Sequence, residues 1–317
     1  SRPASATAAA SASNGKFKDA LMITFFRKSK RPPAAAGPNP HLTVGSSFTI
    51  VGIFILLTVT AIVILVPLAW LLSSSLKTQQ ELAANTWGPP ITWQFINYVK
   101  AWQGSRLGTY MSNSVYVTVL SIVITLVAST PIAFVVSRFK FRLRNPLYYL
   151  MIAGMMIPIH SAVIPLYILV NDLGMENSRT TLALIYGAFR IPISVFILEG
   201  FMIGIPKEIE ESACIDGCST WRLFTHITVP LSRDGMVTIS ILTVLATWNE
   251  LLISMLFLSD PKFKTLPIGL MGFLTEFQSE YTQLAAGIMI AIMPSVFFYI
   301  LMQERIEKGM TVGAVKG

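Results

Sequence analysis

"EESACIDGCSTWRLFTHITVP", Glu210 to Pro230, is a compact polar strip between two long apolar runs. It holds three carboxylates, two cysteines, a histidine and one glycine. Its order reads as two short helices joined by a turn. Pro206 suits a first helical position, where its missing N–H is not needed. Glu208, Glu210 and Glu211 follow in the first turns, where carboxylates favour the positive end of a helix. Ile205, Ile209 and Ala213 recur every four residues, so they are expected to form one buried face. Gly217 stands where a left-handed residue would end the helix. Ser219 can cap the next helix, whose apolar face would be Leu223, Phe224 and Ile227. Pro230 is then expected to redirect the chain.

The strip does not read as chemistry. Cys214 and Cys218 with His226 make three potential ligands, whereas a structural zinc site normally uses four at tighter spacing. Both cysteines are expected to be small packing residues, and no metal ligand is assigned. The acids have no evident nucleophile or base beside them, so no catalytic residue is assigned either. On the residues alone two readings stand: a device that inserts into a groove of a cytoplasmic partner, or an ordinary solvated loop.

The flanks decide the fold class. The chain has 317 residues, 53% hydrophobic and only 13% charged, with a mean hydropathy of +0.62. Soluble domains carry about 25% charged residues. A helix needs about 20 apolar residues to cross a bilayer, and six runs meet that test: 48–72, 110–136, 147–170, 180–202, 235–258 and 284–302. The expected fold is therefore an all-α membrane protein with six transmembrane helices. Pro158, Pro165 and Pro294 are expected to kink theirs. Lys and Arg number 17 on one side of this arrangement and six on the other, which places both termini in the cytoplasm. The net charge of +8 is thus a topology signal, and nucleic acid is not an expected partner.

Five segments follow. Residues 1–45 form an Ala/Ser/Pro-rich cytoplasmic tail, expected to be flexible, in which "GKFKDALMITFFRKSKR" is either a short interfacial helix or a plain basic flank. The tail begins at Ser1, which leaves it open to trimming. Residues 46–76 hold the first span and 77–109 an extracytoplasmic loop whose Trp and Tyr suit a membrane interface. Residues 110–303 are a five-helix core that includes the cytoplasmic loop 203–234, and 304–317 form a cytoplasmic tail. No phosphate-binding G-x-x-x-x-G-K-[ST] run occurs, so this chain is not expected to bind ATP through one. His160, beside Pro158, is expected to be a packed helix residue.

The strip resembles the EAA loop of ABC-importer permeases: Glu-Ala-Ala, three residues, Gly, nine residues, Ile-x-Leu-Pro. Here it reads Glu211-Ser212-Ala213, Gly217, then Ile227-Thr228-Val229-Pro230. Ser212 and Val229 are mild departures. "MIPIHSAVIPLYILVNDLGMENS", "ATWNELLISMLFLS" and "GMTVGAVKG" are similar to segments of the carbohydrate-uptake branch, the maltose-type second permease. The resemblance runs from the first span to the end and leaves out the tail 1–45. It implies a type I importer permease fold in a bacterial or archaeal cytoplasmic membrane. It also implies a second related permease as heterodimer partner, a dimer of ATP-binding subunits that hold ATP and Mg, and an extracytoplasmic solute-binding protein. No cofactor belongs to this chain. The coupling residues would be Glu210, Glu211, Ser212, Ala213, Asp216, Gly217, Ile227 and Pro230.

Charges inside a bilayer are costly, so Arg190 and Glu250 need explaining. With Asn249 and Trp248 they either line a translocation path, where amide, carboxylate and aromatic groups would suit a sugar, or serve structure. The expected function is an ATP-driven, binding-protein-dependent carbohydrate importer subunit. The alternatives are an anionic or non-sugar cargo, such as a polyol phosphate, and an ion-coupled secondary transporter. The latter typically shows internal repeats, which this sequence lacks.

Overall fold

A proline breaks one long apolar run of this chain, and a glycine sets how closely two other long helices pack. The computed structural model describes residues 44–104, 106–276 and 280–314. The expected interfacial helix and most of the tail 1–45 lie outside these residues, as do the last three of the C-terminal tail. The chain divides into two units, Ser1–Leu65 and Val66–Gly317. The described part of the first unit is a single uncharged helix, the start of α1 (Val44–Ser75).

All regular secondary structure of the second unit is helical among the described residues. After the last turns of α1 come α2 (Gln79–Ala84) and α3 (Ile96–Gly104). Lys77 is fully buried between them, yet its ammonium donates to the carbonyls of Asn85 at 2.6 Å and Thr86 at 3.4 Å. Asn97 donates to the carbonyls of Ser75 and Lys77. The expected loop 77–109 is thus a folded, hydrogen-bonded element.

The core is a pair of long helices, α4 (Leu107–Arg138) and α7 (Arg179–Ile203). Hydrocarbon gives apolar side chains little reason to prefer each other over lipid, so close backbone approach and hydrogen bonds must supply the attraction. Ser121 donates to the Ala183 carbonyl and Thr125 to the Gly187 carbonyl, both at 3.2 Å. A Cβ on Gly187 would stand 2.7 Å from Ile124 Cγ2. Only glycine allows this approach.

Between them the expected third span is broken. α5 (Arg144–Met156) ends at Ile157, a 3₁₀ turn follows (Ile159–Ala162), and α6 (Val163–Asp172) leaves at 88° to α5. Pro158 lacks an N–H and forces Ile157 into extended backbone, φ −81° and ψ 112°. The sequence reading expected a kink here; the structure has a near right angle. His160 sits on the 3₁₀ turn and is exposed rather than packed.

After α7 come α8 (Lys207–Ile215) and a helical stretch α9 (Thr220–Leu231) with a wider π-helical middle, Leu223–Thr228. α10 (Arg233–Trp248) leaves at 67° to α9. The fifth span was expected to be one helix over 235–258. Instead α10 stops at Trp248, and α11 (Leu252–Phe257) begins after three irregular residues. α12 (Leu266–Glu276), which no sequence signal anticipated, precedes α13 (Tyr281–Ala314). α13 carries the last span onward through residues expected to form a tail. Among the described residues four helices are long and apolar enough to cross a membrane, or up to six if each bent pair is one span.

At the end of the bundle away from α8, polar side chains staple the loop before α12. Asn113 donates to the carbonyls of Lys262 and Lys264, and Arg179 donates to the Asn113 amide oxygen at 2.7 Å. Asn177, at φ 53°, accepts from the backbone of Ser259 and Asp260.

Gly187→Val should separate α4 from α7 and destabilise the protein by about 1–3 kcal/mol, the usual cost of overpacking. Thermal unfolding in detergent should register the loss, whereas the same change at Gly200, where a Cβ meets nothing within 4 Å, should have little effect.

Candidate functional site

The polar strip folds as two helices and a turn. Gly217 adopts φ 77°, the left-handed conformation that ends α8. Ser219 caps α9 by accepting from the Arg222 N–H. Leu223 is buried, and Phe224 and Ile227 pack against the core beside Phe134 and Leu198. Two details differ from the sequence reading. Pro206 is the residue before α8 rather than its first, in extended backbone at ψ 131°. Pro230 lies inside the helical stretch, and the chain turns only at Ser232, φ −88° and ψ 9°. The wide turn of Leu223–Thr228 lets the Val229 N–H reach back five residues to Phe224, so a proline follows without breaking the stretch.

The expected apolar stripe holds only in part: Ile205 and Ala213 turn inward, but Ile209 does not. Ile209 is 43% exposed, while Glu210 is buried at 8%. Arg138, the last residue of α4, explains the rotation. Its Nε donates to Glu210 Oε1 at 2.7 Å, with both side chains about nine-tenths buried. Its Nη2 donates to the Met202 carbonyl at the end of α7. Thr228 of α9 also reaches Glu210 Oε1, at 3.5 Å. One carboxylate and one guanidinium therefore tie α4, α7, α8 and α9 together. Arg138 was missed by sequence reasoning because it looked like one more cation after an apolar run.

The outward face carries the other predicted coupling residues. Glu211, Ser212, Asp216 and Gly217 are exposed, with Pro230 beyond them, whereas Ala213 and Ile227 turn toward the core. Ile215 and Trp221 are 86% and 72% exposed. Cys214, expected to pack, is exposed as a free thiol. The surface is thus an acidic helix with two apolar knobs.

The intramembrane candidates do not all meet. Arg190 and Glu250 share a cavity of about 450 Å³, where α7 crosses the break in the third span and the end of α10. Tyr186, one turn before Arg190, and His160 line it as well. Trp248 points elsewhere, into an apolar cluster with Leu107 and Leu266. Asn249 is exposed and donates to the Leu245 carbonyl at 2.9 Å, outside the cavity lining.

Glu250 is not idle. Its carboxylate accepts from the backbone N–H of Ile253 at 3.0 Å and of Ser254 at 3.1 Å. It also accepts from the hydroxyls of Tyr186 and Ser254. Three of these contacts fall on Oε2 and one on Oε1, so Oε1 keeps acceptor capacity. Glu250 therefore satisfies the orphan N–H groups that open α11 and pins α7 to the broken span. Where backbone breaks at membrane depth, such satisfaction is what makes the break tolerable.

A family model described as "Binding-protein-dependent transport system inner membrane component" matches residues 127–312. The chain belongs to this family. It is a multi-pass inner-membrane permease, a transport component and not an enzyme. The permease is 40% identical to a putative ABC transporter permease protein of Caldicellulosiruptor sp. over 83% of its length and 96% of that protein's. It is 31% identical to a diacetylchitobiose uptake system permease of Streptomyces coelicolor, over 82% and 87% of the two chains. It is equally 31% identical to the melibiose/raffinose/stachyose import permease of Bacillus subtilis, over 84% and 96%. In fold it matches a chain of a bacterial ABC transporter that imports alginate, with a TM-score of 0.73 at 21% identity, covering 84% of the permease and 99% of that chain.

Removing one member of the buried ion pair strands the other. Arg138→Ala or Glu210→Ala should each cost about 3–5 kcal/mol, whereas Arg138→Met with Glu210→Leu should cost much less; denaturation of the purified permease measures both. Glu250→Gln should cost about 1–3 kcal/mol, because its NH2 would face backbone donors, and thermal unfolding checks it.

Proposed function

We propose that this permease forms half of the translocation path of an ATP-driven, binding-protein-dependent importer of oligosaccharides or glycosides. The observation that carries the reading is the two-sided construction of the strip: Glu210 locked inward on Arg138, Glu211 and Ile215 standing outward. The outer face suits a cleft in a partner, with Ile215 as the apolar anchor and Glu211 as the charged rim. The inner face transmits displacement, because α8 cannot move without pulling on the ends of α4 and α7. In this reading α8 is the coupling helix, ATP and Mg are held by the two ATP-binding subunits, and both termini share the cytoplasmic side with the strip. A second related permease completes the path, and a solute-binding protein delivers cargo on the far side.

The cargo class is supported by relatives named for uptake of diacetylchitobiose, melibiose, raffinose, stachyose and starch degradation products. Within the cavity Arg190 is the path residue. No hydrogen bond or ion pair engages its side chain among the described residues, and a guanidinium presents five donors to hydroxyl oxygens. Glu250 shapes the wall beside it. Trp248 and Asn249 are left out of the cavity.

ATP-dependent uptake of a labelled oligosaccharide into proteoliposomes, unchanged by an ionophore, tests the class. Uptake that needs an ion gradient and no ATP would overturn it. Glu211→Lys with Ile215→Asp should lower the amount of ATP-binding subunit retained on the purified permease by about tenfold or more. Full retention with normal uptake would remove the strip from its coupling role.

A further inference from the structure

The connection between α4 and α5 alternates cations with apolar side chains: Phe139, Lys140, Phe141, Arg142, Leu143, Arg144. Only five residues separate the two helices. At most about 3.6 Å per residue, such a link cannot stray far from the helix ends. α4 is a membrane span and α5 is half of a broken one, so these cations are held at the membrane–water boundary.

Three features converge there on a negative charge. A shallow cleft of about 420 Å³ is lined by Lys140, Phe141, Arg142, Arg144 and Asn145. Lys140 and Arg142 are exposed, and no ion pair engages either among the described residues. The cleft lies at the N-terminus of the 13-residue α5, whose first turn has no acidic residue and no side-chain cap. Pro146 has no N–H and the Arg144 N–H is taken by the Phe141 carbonyl at 3.1 Å, so this helix end contributes its partial positive charge rather than a row of free donors. Arg144 is committed elsewhere, with Nε on the Val136 carbonyl at 2.7 Å and Nη2 4.0 Å from Glu199.

We infer that this cleft is a binding site for the phosphate of an anionic phospholipid. The apolar surroundings favour a lipid over a free anion. Leu143, Tyr149 and Leu150 are 66%, 66% and 62% exposed along the chain's path into α5, apolar surface for acyl chains near a phosphate seat. Basic pockets at the ends of membrane helices take anionic headgroups in this manner. The site bears on the buried pair, since Arg138 and Glu210 also line the neighbouring cleft with Lys140 and Arg144.

Native mass spectrometry of the full complex, released from nanodiscs of phosphatidylglycerol or of phosphatidylcholine, tests the inference. The wild type should retain phosphatidylglycerol and not phosphatidylcholine. Lys140→Gln with Arg142→Gln, which disturbs no ion pair, should weaken retention about thirtyfold, as expected for two cations at an anionic surface. Equal retention by the double variant would overturn the site. Displacement of the lipid by inorganic phosphate at comparable concentration would reassign it to a free anion. Loss of the ATP-binding subunits with unchanged lipid retention would reassign the cations to protein docking.

Discussion

A single buried ion pair, Arg138 with Glu210, fixes how the polar strip meets the membrane helices. Two desolvated charges are expensive, and their attraction offsets the expense only where geometry and further hydrogen bonds are good. Here the guanidinium also reaches the Met202 carbonyl, and the carboxylate also receives Thr228. The consequence is mechanical. α8 is bound to the ends of both long helices, so its outward face can be pushed without the strip peeling away from the core.

The bilayer supplies the second constraint. Every broken helix in hydrocarbon exposes backbone groups that need partners. The third span breaks at Pro158, and the fifth breaks after Trp248. Glu250 compensates the second break by taking two backbone N–H groups and two hydroxyls. Glu250, which the sequence offered either as a path residue or as a structural group, thus holds the break while bordering the cavity that Arg190 also lines. The α4–α7 pair completes the frame: Gly187 permits contact, and Ser121 and Thr125 fasten it.

Much of this was legible beforehand because it is local. The long apolar runs predict α4 and α7 to within a few residues. Gly217 and Ser219 predict the turn and the cap, since both act on their immediate neighbours. What stayed hidden depends on distant partners. Glu210 and Arg138 lie 72 residues apart, and no periodicity marks their meeting; of the four-residue stripe, Ile205 and Ala213 turn inward but Ile209 gives way to Glu210. The break at 249–251 was invisible for the same reason. An unbroken apolar run predicts a continuous helix, and the interruption rests on Glu250 taking the freed N–H groups while Tyr186 on another helix holds Glu250 in place. Trp248, offered by its residue type as a path candidate or a structural group, is buried beside Leu107 and Leu266.

The central claim is that α8 and the α4–α7 pair move as one body. Electron–electron resonance tests it on the reconstituted complex, with one spin label on the exposed Cys214 and another on Val123→Cys, in a Cys218→Ala background. The mean distance between the labels should be the same without nucleotide and with ATP bound. A shift of about one helical turn, roughly 5 Å, would show the strip sliding on the helices and contradict the account.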